Sequence, residues 1–342
     1  MRAGYLVAPQ HVELREDAEP QPEPGGVVVR VRVALTDGTD LKAFRRGHPQ
    51  MPVPTRFGHE FSGDVAAVGS GVTAFRAGDA IMCVHSAPDG TCFWCTRGEE
   101  ELCERVMETK ILGAYAECIA VPPHIVARNA FRKPSDVSYE AAAFLEPVSC
   151  VVHALQMLSP RANDTVAVVG DGGFGLLHAL VLRAFGARPI LVGRRDERLA
   201  FARALGIAET IDARSDDVAA AIRARTDGHG ADAVIESTGA RDVWETAPAL
   251  VRRGGRVVLF GGLPTGTRVA FDAARLHYDE VKLFSPFHFT PRAVRRAYEL
   301  IATHAIDFEQ LISARFGLDQ LEEAFRALGE GSGLNLKYAI VP

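Results

Sequence analysis

The sequence lacks the features that mark membrane-spanning, secreted and nucleic-acid-binding proteins. Its 342 residues contain no apolar run near the roughly 18 residues that a membrane-spanning helix requires. The opening residues, MRAGYLVAPQ, soon give way to polar sequence and do not resemble a secretory signal. Basic residues are scattered, and the formal net charge is −5. We therefore expect a cytoplasmic protein with neither a membrane nor a nucleic acid as a partner.

Cysteine is scarce, and its distribution argues against a disulfide framework. Of six cysteines, three crowd into residues 92–103. In a reducing compartment such clustering favours metal binding. The sequence also lacks internal repeats and low-complexity tracts. Its length suggests about two domains, and 47% apolar residues with 24% charged residues are typical of a globular protein with a sizeable core.

The predicted secondary structure changes character along the chain. The first third is β-rich, with strands predicted over 26–33, 60–68 and 78–84 and an irregular lobe over 89–103. The middle alternates strands (165–169, 189–192, 232–235, 256–260) with helices (176–185, 198–205). Alternation of this kind predicts βαβ units and a parallel sheet buried on both faces. From about residue 291 the sequence predicts a mixture of helix and strand, which ends with a strand over 337–341.

A glycine-rich loop, Gly170-Asp171-Gly172-Gly173-Phe174-Gly175, follows the strand over 165–169 and opens a helix. This context predicts a dinucleotide site. We expect Gly170 to allow the tight turn, Gly172 to let a pyrophosphate approach the backbone, and Gly175 to let the helix pack on the strand. The helix N-terminus would then offer N–H groups to the phosphates. The alternative is an ordinary strand-to-helix turn.

The next strand indicates which dinucleotide is preferred. Its end carries Gly193, Arg194 and Arg195 where NAD-dependent proteins normally place an acid for the ribose 2′-hydroxyl. A glycine leaves room for a 2′-phosphate, which two guanidiniums can bind, so we predict NADP(H) over NAD(H). In the alternative, the arginines form a solvated turn and Asp196 is the acid. Further along, strand ends carrying Thr238, Gly261 and Gly262 are expected to contact the cofactor.

Two metal sites are predicted. The first is a structural zinc lobe with the spacing D-x2-C-x2-C-x7-C, formed by Asp89, Cys92, Cys95 and Cys103. The alternative is a mobile loop with three free thiols.

The second predicted site is catalytic. Asp37, His59 and either Glu60 or Glu146 supply the nitrogen and oxygen ligands that catalytic zinc accepts. The competing interpretation is that Asp37 and Asp40 cap a helix and that His59 and Glu60 are polar residues that bind no metal.

These residues make the chain resemble the zinc-dependent medium-chain dehydrogenases, in particular their sorbitol, threonine and sugar dehydrogenase branch. The resemblance covers nearly the whole chain. It rests on Asp37-Gly38-Thr39-Asp40 for the family's C-G-[S/T]-D, Gly58-His59-Glu60 for G-H-E, Gly78-Asp79-Ala80-Ile81 for G-D-x-V, the cysteine lobe, Ala116-Glu117-Cys118, and Glu146-Pro147. Two family cysteines are replaced by potential ligands, Asp37 and Asp89, from which we expect that zinc is retained with altered ligands.

The resemblance implies an α/β protein: a GroES-like β-barrel catalytic domain over 1–146, completed by 290–342, and a Rossmann domain, doubly wound around a parallel sheet, over 147–289. It also implies a homodimer or homotetramer assembled through the Rossmann sheet edge.

The implied activity is hydride transfer between NADP(H) and a small alcohol or ketone. Asp37, His59 and Glu146 would hold the metal, with Glu60 a direct or water-mediated ligand, and Thr39 would pass a proton. A polyol, sugar or cyclitol is the expected substrate. A zinc-free quinone or enoyl-type reductase on the same fold and a non-catalytic nucleotide-binding protein remain alternatives.

Overall fold

The computed structural model describes residues 1–48, 51–331 and 333–342. The chain divides into two compact units. Unit 1 comprises Met1–Ser149 and Phe289–Pro342, and unit 2 comprises Cys150–His288. The domain limits expected from the sequence differ from these limits by three residues or fewer. Among the described residues, no helix is both long enough and apolar enough to cross a bilayer.

The secondary-structure elements follow in chain order. The strands are β1 (Arg2–Ala8), β2 (His11–Glu16), β3 (Val27–Leu35), β4 (Thr55–Arg56), β5 (Glu60–Val68), β6 (Ala80–Cys83), β7 (Cys118–Val121), β8 (Ala130–Arg132), β9 (Thr165–Val169), β10 (Arg188–Gly193), β11 (Glu209–Asp212), β12 (Ala231–Glu236), β13 (Val251–Leu259), β14 (Lys282–Phe284), β15 (Ile312–Gly317) and β16 (Lys337–Val341). The α-helices are α1 (Gly38–Arg46), α2 (Pro123–Asn129), α3 (Tyr139–Ala143), α4 (Leu145–Leu158), α5 (Gly173–Ala184), α6 (Asp196–Ala204), α7 (Val218–Ala224), α8 (Arg241–Thr246), α9 (Ala273–His277), α10 (Pro291–Ala302) and α11 (Leu321–Glu330).

Unit 1 is built on a largely antiparallel sheet with the order β15-β16-β3-β5-β6-β8, to which β7 adds by pairing with β3. A second small sheet has the order β2-β1-β4. Alternating side chains of β3 point into a core that also holds Phe57, Tyr115 and Phe325. β16 comes from the end of the chain and pairs with β3, which places Lys337 beside residues near position 36. The C-terminal segment therefore completes the sheet that carries the candidate site.

Unit 2 is a parallel six-stranded sheet in the order β11-β10-β9-β12-β13-β14. Counted from β9, this is the order 3-2-1-4-5-6 of the doubly wound dinucleotide-binding fold. Its three central strands, β10, β9 and β12, are almost wholly buried and rich in Val, Ile and Ala, as a sheet covered on both faces requires. In folds with this strand order, ligands bind at the carboxyl ends of the strands, at the point where the strand order reverses. In this sheet that point lies beside β9.

Two element boundaries differ from the sequence expectation by three residues or more. α5 begins at Gly173, three residues before the predicted start, because the glycines of its first turn conceal the helical pattern. β13 begins at Val251 rather than 256, since Arg252, Arg253 and two glycines interrupt its apolar run and its register shifts there.

Candidate active site

Asp37 has two roles at the start of α1. It is the N-cap of the helix, and its Oδ1 accepts a hydrogen bond of 2.7 Å from the backbone N–H of Asp40. Its Oδ2 lies 3.7 Å from Nε2 of His59. The helix-cap and ligand interpretations therefore apply to the same buried side chain, through different oxygens. Thr39 follows in the first turn, half-buried, and its hydroxyl donates to the Asp37 carboxylate.

His59 is oriented by carboxylates on both ring nitrogens. Its Nδ1 lies 3.4 Å from Oδ1 of Asp40, which leaves Nε2 facing Asp37. Asp40 is in turn fixed by Tyr115, whose hydroxyl donates to its Oδ2 at 2.6 Å. One potential ligand atom from each of Asp37, Asp40 and His59 lies within 4.8 Å of the others. A carboxylate on the far side of a ligating imidazole is a common arrangement in metal sites.

A second group shares His59. Potential ligand atoms of His59, Glu60 and Glu146 also lie within 4.8 Å of one another. Glu60 is fully buried and ion-paired: Lys337 Nζ donates to its Oε1 and Oε2 at 2.7 and 2.5 Å, and to Thr36 O at 3.1 Å. The structure thus places the four residues predicted for the catalytic metal in two groups that share His59, and it adds a lysine. Sequence reasoning missed that lysine because its partner Glu60 lies 277 positions earlier in the chain.

The electrostatics of the cluster follow from burial and charge. Burial alone would lower the pKa of His59, but the carboxylates of Asp40 and Asp37 raise it well above its usual value. Burial opposes ionisation of Asp37, yet the charges of His59 and Lys337 hold the pKa of Asp37 below its usual value. Burial raises the pKa of Glu60 well above normal, although Lys337 opposes the shift. Buried oxygen and imidazole ligands in this number fit a divalent metal.

His85 is a site residue that the sequence did not reveal. It follows β6, is buried, and places Nδ1 3.4 Å from Oε1 of Glu146. Its ring meets the ring of His59 edge to face, with centroids 4.9 Å apart, and the ring of Phe289 at 5.7 Å. The only sequence signal was a polar residue immediately after a buried strand.

The cysteine lobe gathers as the spacing predicted. Asp89, Cys92, Cys95 and Cys103 each place a potential ligand atom within 4.8 Å of the others. The backbone N–H groups of Thr91 and Cys92 donate to Asp89 Oδ1 at 2.7 and 3.0 Å and hold the pKa of that carboxyl well below its usual range. Three thiols and an ionised carboxylate fit a tetrahedral zinc site.

In unit 2 the glycine-rich loop has the geometry that a phosphate-binding turn needs. Gly170 has a φ of +123°, a conformation that side chains rarely adopt. Gly172 is the N-cap of α5, and Gly173 and Phe174 form its first turn. A Cβ on Gly175 would lie 1.8 Å from Gly170 O, so only glycine allows α5 to approach β9 this closely. The N-terminus of α5 follows directly from the carboxyl end of β9.

Gly193 ends β10 beside that loop. The next two residues, Arg194 and Arg195, are exposed, and their backbone N–H groups donate to Asp171 Oδ2 at 2.8 and 2.9 Å. Asp196 is largely exposed and pairs with Arg214 at 2.5 Å. The sequence did not single out Asp171 as a contact of this turn.

The other strand ends carry the remaining predicted cofactor contacts. Buried Glu236, at the end of β12, accepts from the backbone N–H groups of Thr238 and Gly239 at 2.5 and 2.9 Å. Gly261 O accepts from Trp244 Nε1 at 2.8 Å. Beside them is a cavity of about 420 Å³ whose lining includes Trp244, Phe260, Gly262 and Phe287. The polar turns of two strands therefore border an apolar cavity large enough for a planar ring.

The chain matches the models of two known protein families. The model of the family described as "Alcohol dehydrogenase GroES-like domain" matches residues 23–130, and that of "Zinc-binding dehydrogenase" matches residues 173–303. A structure described as that of a zinc-binding dehydrogenase from Sinorhizobium meliloti 1021 bound to NADP is 30% identical, with a TM-score of 0.90 over 100% of this chain and 99% of that chain.

Two curated relatives extend the comparison. Sorbitol dehydrogenase from Halalkalibacterium halodurans is 27% identical over 95% of both chains. L-threonine 3-dehydrogenase from Pyrococcus furiosus is 29% identical over 93% of this chain and 92% of the relative. The chain belongs to the zinc-dependent medium-chain dehydrogenases of the alcohol dehydrogenase superfamily. Both the family and the predicted fold class, a GroES-like domain with a Rossmann domain, are confirmed, and the protein is an oxidoreductase of the alcohol dehydrogenase type.

Proposed function

We propose that this protein is a zinc-dependent oxidoreductase that transfers hydride between NADP(H) and a secondary alcohol or ketone, with unit 1 as the catalytic domain and unit 2 as the NADP-binding domain. One observation carries the proposal: buried Asp37, His59, Glu60 and Glu146 converge around a shared imidazole. Buried carboxylates gathered at this density are costly unless a cation compensates them. A catalytic metal accounts for their placement.

The residues of unit 1 have distinct roles in this proposal. Asp37, His59 and Glu146 would hold the metal, with Glu60 as a further ligand, direct or through water. A metal held there supplies Lewis acidity that lowers the pKa of the substrate hydroxyl. Asp40 orients the His59 ring through Nδ1. Thr39 is half-buried next to Asp37 and is the proposed route by which the hydroxyl proton leaves.

The lobe of unit 1 would hold a second, structural zinc. Its thiols come from Cys92, Cys95 and Cys103, and its fourth ligand is the Asp89 carboxylate. Because this shell offers no open position, its role is to order residues 89–103 rather than to bind substrate.

The dinucleotide preference rests on the end of β10. Gly193 bears no acidic side chain, and Arg194 and Arg195 bring two positive charges to the turn that follows it. Guanidiniums suit a 2′-phosphate. The related Sinorhizobium meliloti structure is described as bound to NADP. Together these observations favour NADP(H) over NAD(H).

The proposed substrate is a polyol, sugar or cyclitol. The curated relatives include enzymes named sorbitol dehydrogenase and D-arabitol-phosphate dehydrogenase. A site lined by several carboxylates and by His85 can accept hydrogen bonds from more than one hydroxyl group. We also propose a homodimer or homotetramer formed through the outer strand β14, and a cytoplasmic location. Light scattering and cell fractionation test these two proposals.

Metal content measured together with turnover tests the function. Plasma mass spectrometry on protein purified without added metal should find about two zinc ions per chain, as one closed and one open site require. Asp37→Ala should retain about one and lose polyol oxidation with NADP. The matched control is Asp217→Ala, which also removes an N-cap carboxylate, at 3.0 Å from Ala220 N on α7. This control should keep both metals and its activity.

Each other outcome decides against a part of the proposal. A fully metallated and active Asp37→Ala variant would refute the role of Asp37. Turnover of quinones or enoyl substrates by a zinc-free wild-type protein would support the reductase alternative. Dinucleotide binding without turnover of any alcohol or ketone would support the non-catalytic alternative.

A further inference from the structure

We propose that Asp171 determines dinucleotide specificity: its carboxylate lies at the end of β10, opposes a 2′-phosphate, and keeps NAD(H) usable beside NADP(H). This inference rests on the proposed function, because it assumes that the glycine-rich loop binds a dinucleotide. It assigns a role to the second residue of that loop, which carries a charge where its neighbours carry none.

The position of Asp171 is defined by its contact with β10. A Cβ built on Gly193 would lie 2.6 Å from both Cβ and Oδ2 of Asp171. The side chain of Asp171 therefore fills the space into which a residue at position 193 would project. In doubly wound folds an acid at the end of this strand accepts from the ribose 2′-hydroxyl. Here the strand has glycine, and the loop supplies the carboxylate.

The hydrogen bonds of Asp171 define its effect on a phosphate. Its Oδ2 accepts from the backbone N–H groups of Arg194 and Arg195 at 2.8 and 2.9 Å. Backbone N–H groups at such a turn are suitable donors for a phosphate. A 2′-phosphate must compete with the Asp171 carboxylate for them and also meets its negative charge. A ribose 2′-hydroxyl, which is neutral and can donate, meets no such opposition.

Arg198 completes the arrangement from α6. Its side chain is 9% exposed, and Nη1 lies 3.9 Å from Asp171 Oδ1 and 3.4 Å from Asp171 O. Burial lowers the pKa of Arg198 to about 10, the charge of Arg195 acts in the same direction, and Asp171 opposes the shift. The carboxylate thus offsets a buried positive charge. Neutralising Asp171 would remove that offset.

The test is Asp171→Asn, which removes the charge and retains an oxygen that accepts from the backbone. Calorimetry would compare 2′,5′-ADP with 5′-ADP, and NADPH with NADH, so no metal or turnover is needed. We expect the affinity for 2′,5′-ADP and NADPH to rise about tenfold, or about 1.4 kcal/mol. Affinity for 5′-ADP and NADH should stay constant or fall. Glu197→Gln, the same charge change at an exposed position on α6, is the control and should change neither affinity more than about twofold.

The other outcomes overturn the inference. Unchanged or weaker binding of 2′,5′-ADP by Asp171→Asn would show that the carboxylate does not oppose the phosphate. Equal gains for both ligands would indicate a general charge effect, and equal losses a structural role. The proposed function fails separately, when the wild-type protein binds neither dinucleotide. Wild-type binding with an unchanged ratio in the variant refutes the role of Asp171 alone.

Discussion

Replacing Lys337 by methionine should destabilise unit 1 strongly, because the change leaves a buried carboxylate without its cation. Lys337 is 3% exposed and Glu60 is fully buried, and both oxygens of Glu60 accept from the ammonium group. Breaking a buried ion pair by removing one partner costs about 3–5 kcal/mol, of which proton uptake by the stranded carboxylate recovers part. We therefore expect the free energy of unfolding of metal-free unit 1 to fall by about 3 kcal/mol or more.

The two tryptophans of the chain make this measurement specific. Trp94 lies in unit 1 and Trp244 in unit 2. In a Trp244→Phe background, the fluorescence of Trp94 during urea titration reports on unit 1. The control, Lys42→Met, removes an exposed charge on α1 and should change the free energy of unfolding by less than about 0.5 kcal/mol.

Two further measurements sharpen the result. The double variant Lys337→Met with Glu60→Met should recover most of the loss, since apolar replacement of a whole buried pair is often neutral. Added zinc should also restore stability to Lys337→Met if Glu60 coordinates it, because binding to the folded state alone stabilises that state. A loss below about 1 kcal/mol in metal-free Lys337→Met would refute the reasoning, since it would show that Glu60 needs no cation.

Two other substitutions test the dinucleotide loop and the cysteine lobe. Gly175→Ala places a methyl group 1.8 Å from Gly170 O, so α5 must move. We expect thermal unfolding to show a loss of stability of about 3 kcal/mol, and fluorescence titration to show greatly weakened NADPH binding. Unchanged NADPH binding would contradict this prediction. Asp89→Cys completes a four-thiolate shell and should slow zinc release to a colorimetric chelator by at least about tenfold. Release at the wild-type rate would indicate that residue 89 is not a ligand.

Local sequence signals predicted much of the fold. The strand over 165–169 is β9, and the glycine loop after it leads into α5 as expected. The cysteine spacing likewise predicted that four potential ligand residues lie together, because all of them belong to one short lobe. Such features depend on residues that are close in sequence, so they can be predicted from the sequence alone.

The features that the sequence did not reveal depend on distant contacts. Lys337 opens an apolar strand, and its burial follows only from the pairing of β16 with β3 and from a partner 277 positions away. His85 becomes a site residue because α4 brings Glu146 to within 3.4 Å of its ring nitrogen. Arg198 was predicted only to belong to a helix, and its side chain is almost wholly buried beside Asp171.

The charge balance of the buried cluster around His59 indicates whether the protein still needs a metal at Asp37. Four carboxylates are buried there, those of Asp37, Asp40, Glu60 and Glu146, against one lysine and the imidazoles of His59 and His85. Without a metal, burial favours a low pKa for His59, but the charges of Asp40 and Asp37 raise that pKa well above its usual value, so the imidazole binds a proton that limits the negative charge. A divalent cation would replace that proton. Asp37, at the position where the family pattern has a cysteine, keeps a negative charge in the cluster and maintains the demand for that cation. An inactivated site would be expected to shed buried carboxylates, because each is costly without a partner. The presence of all four therefore supports a metal site.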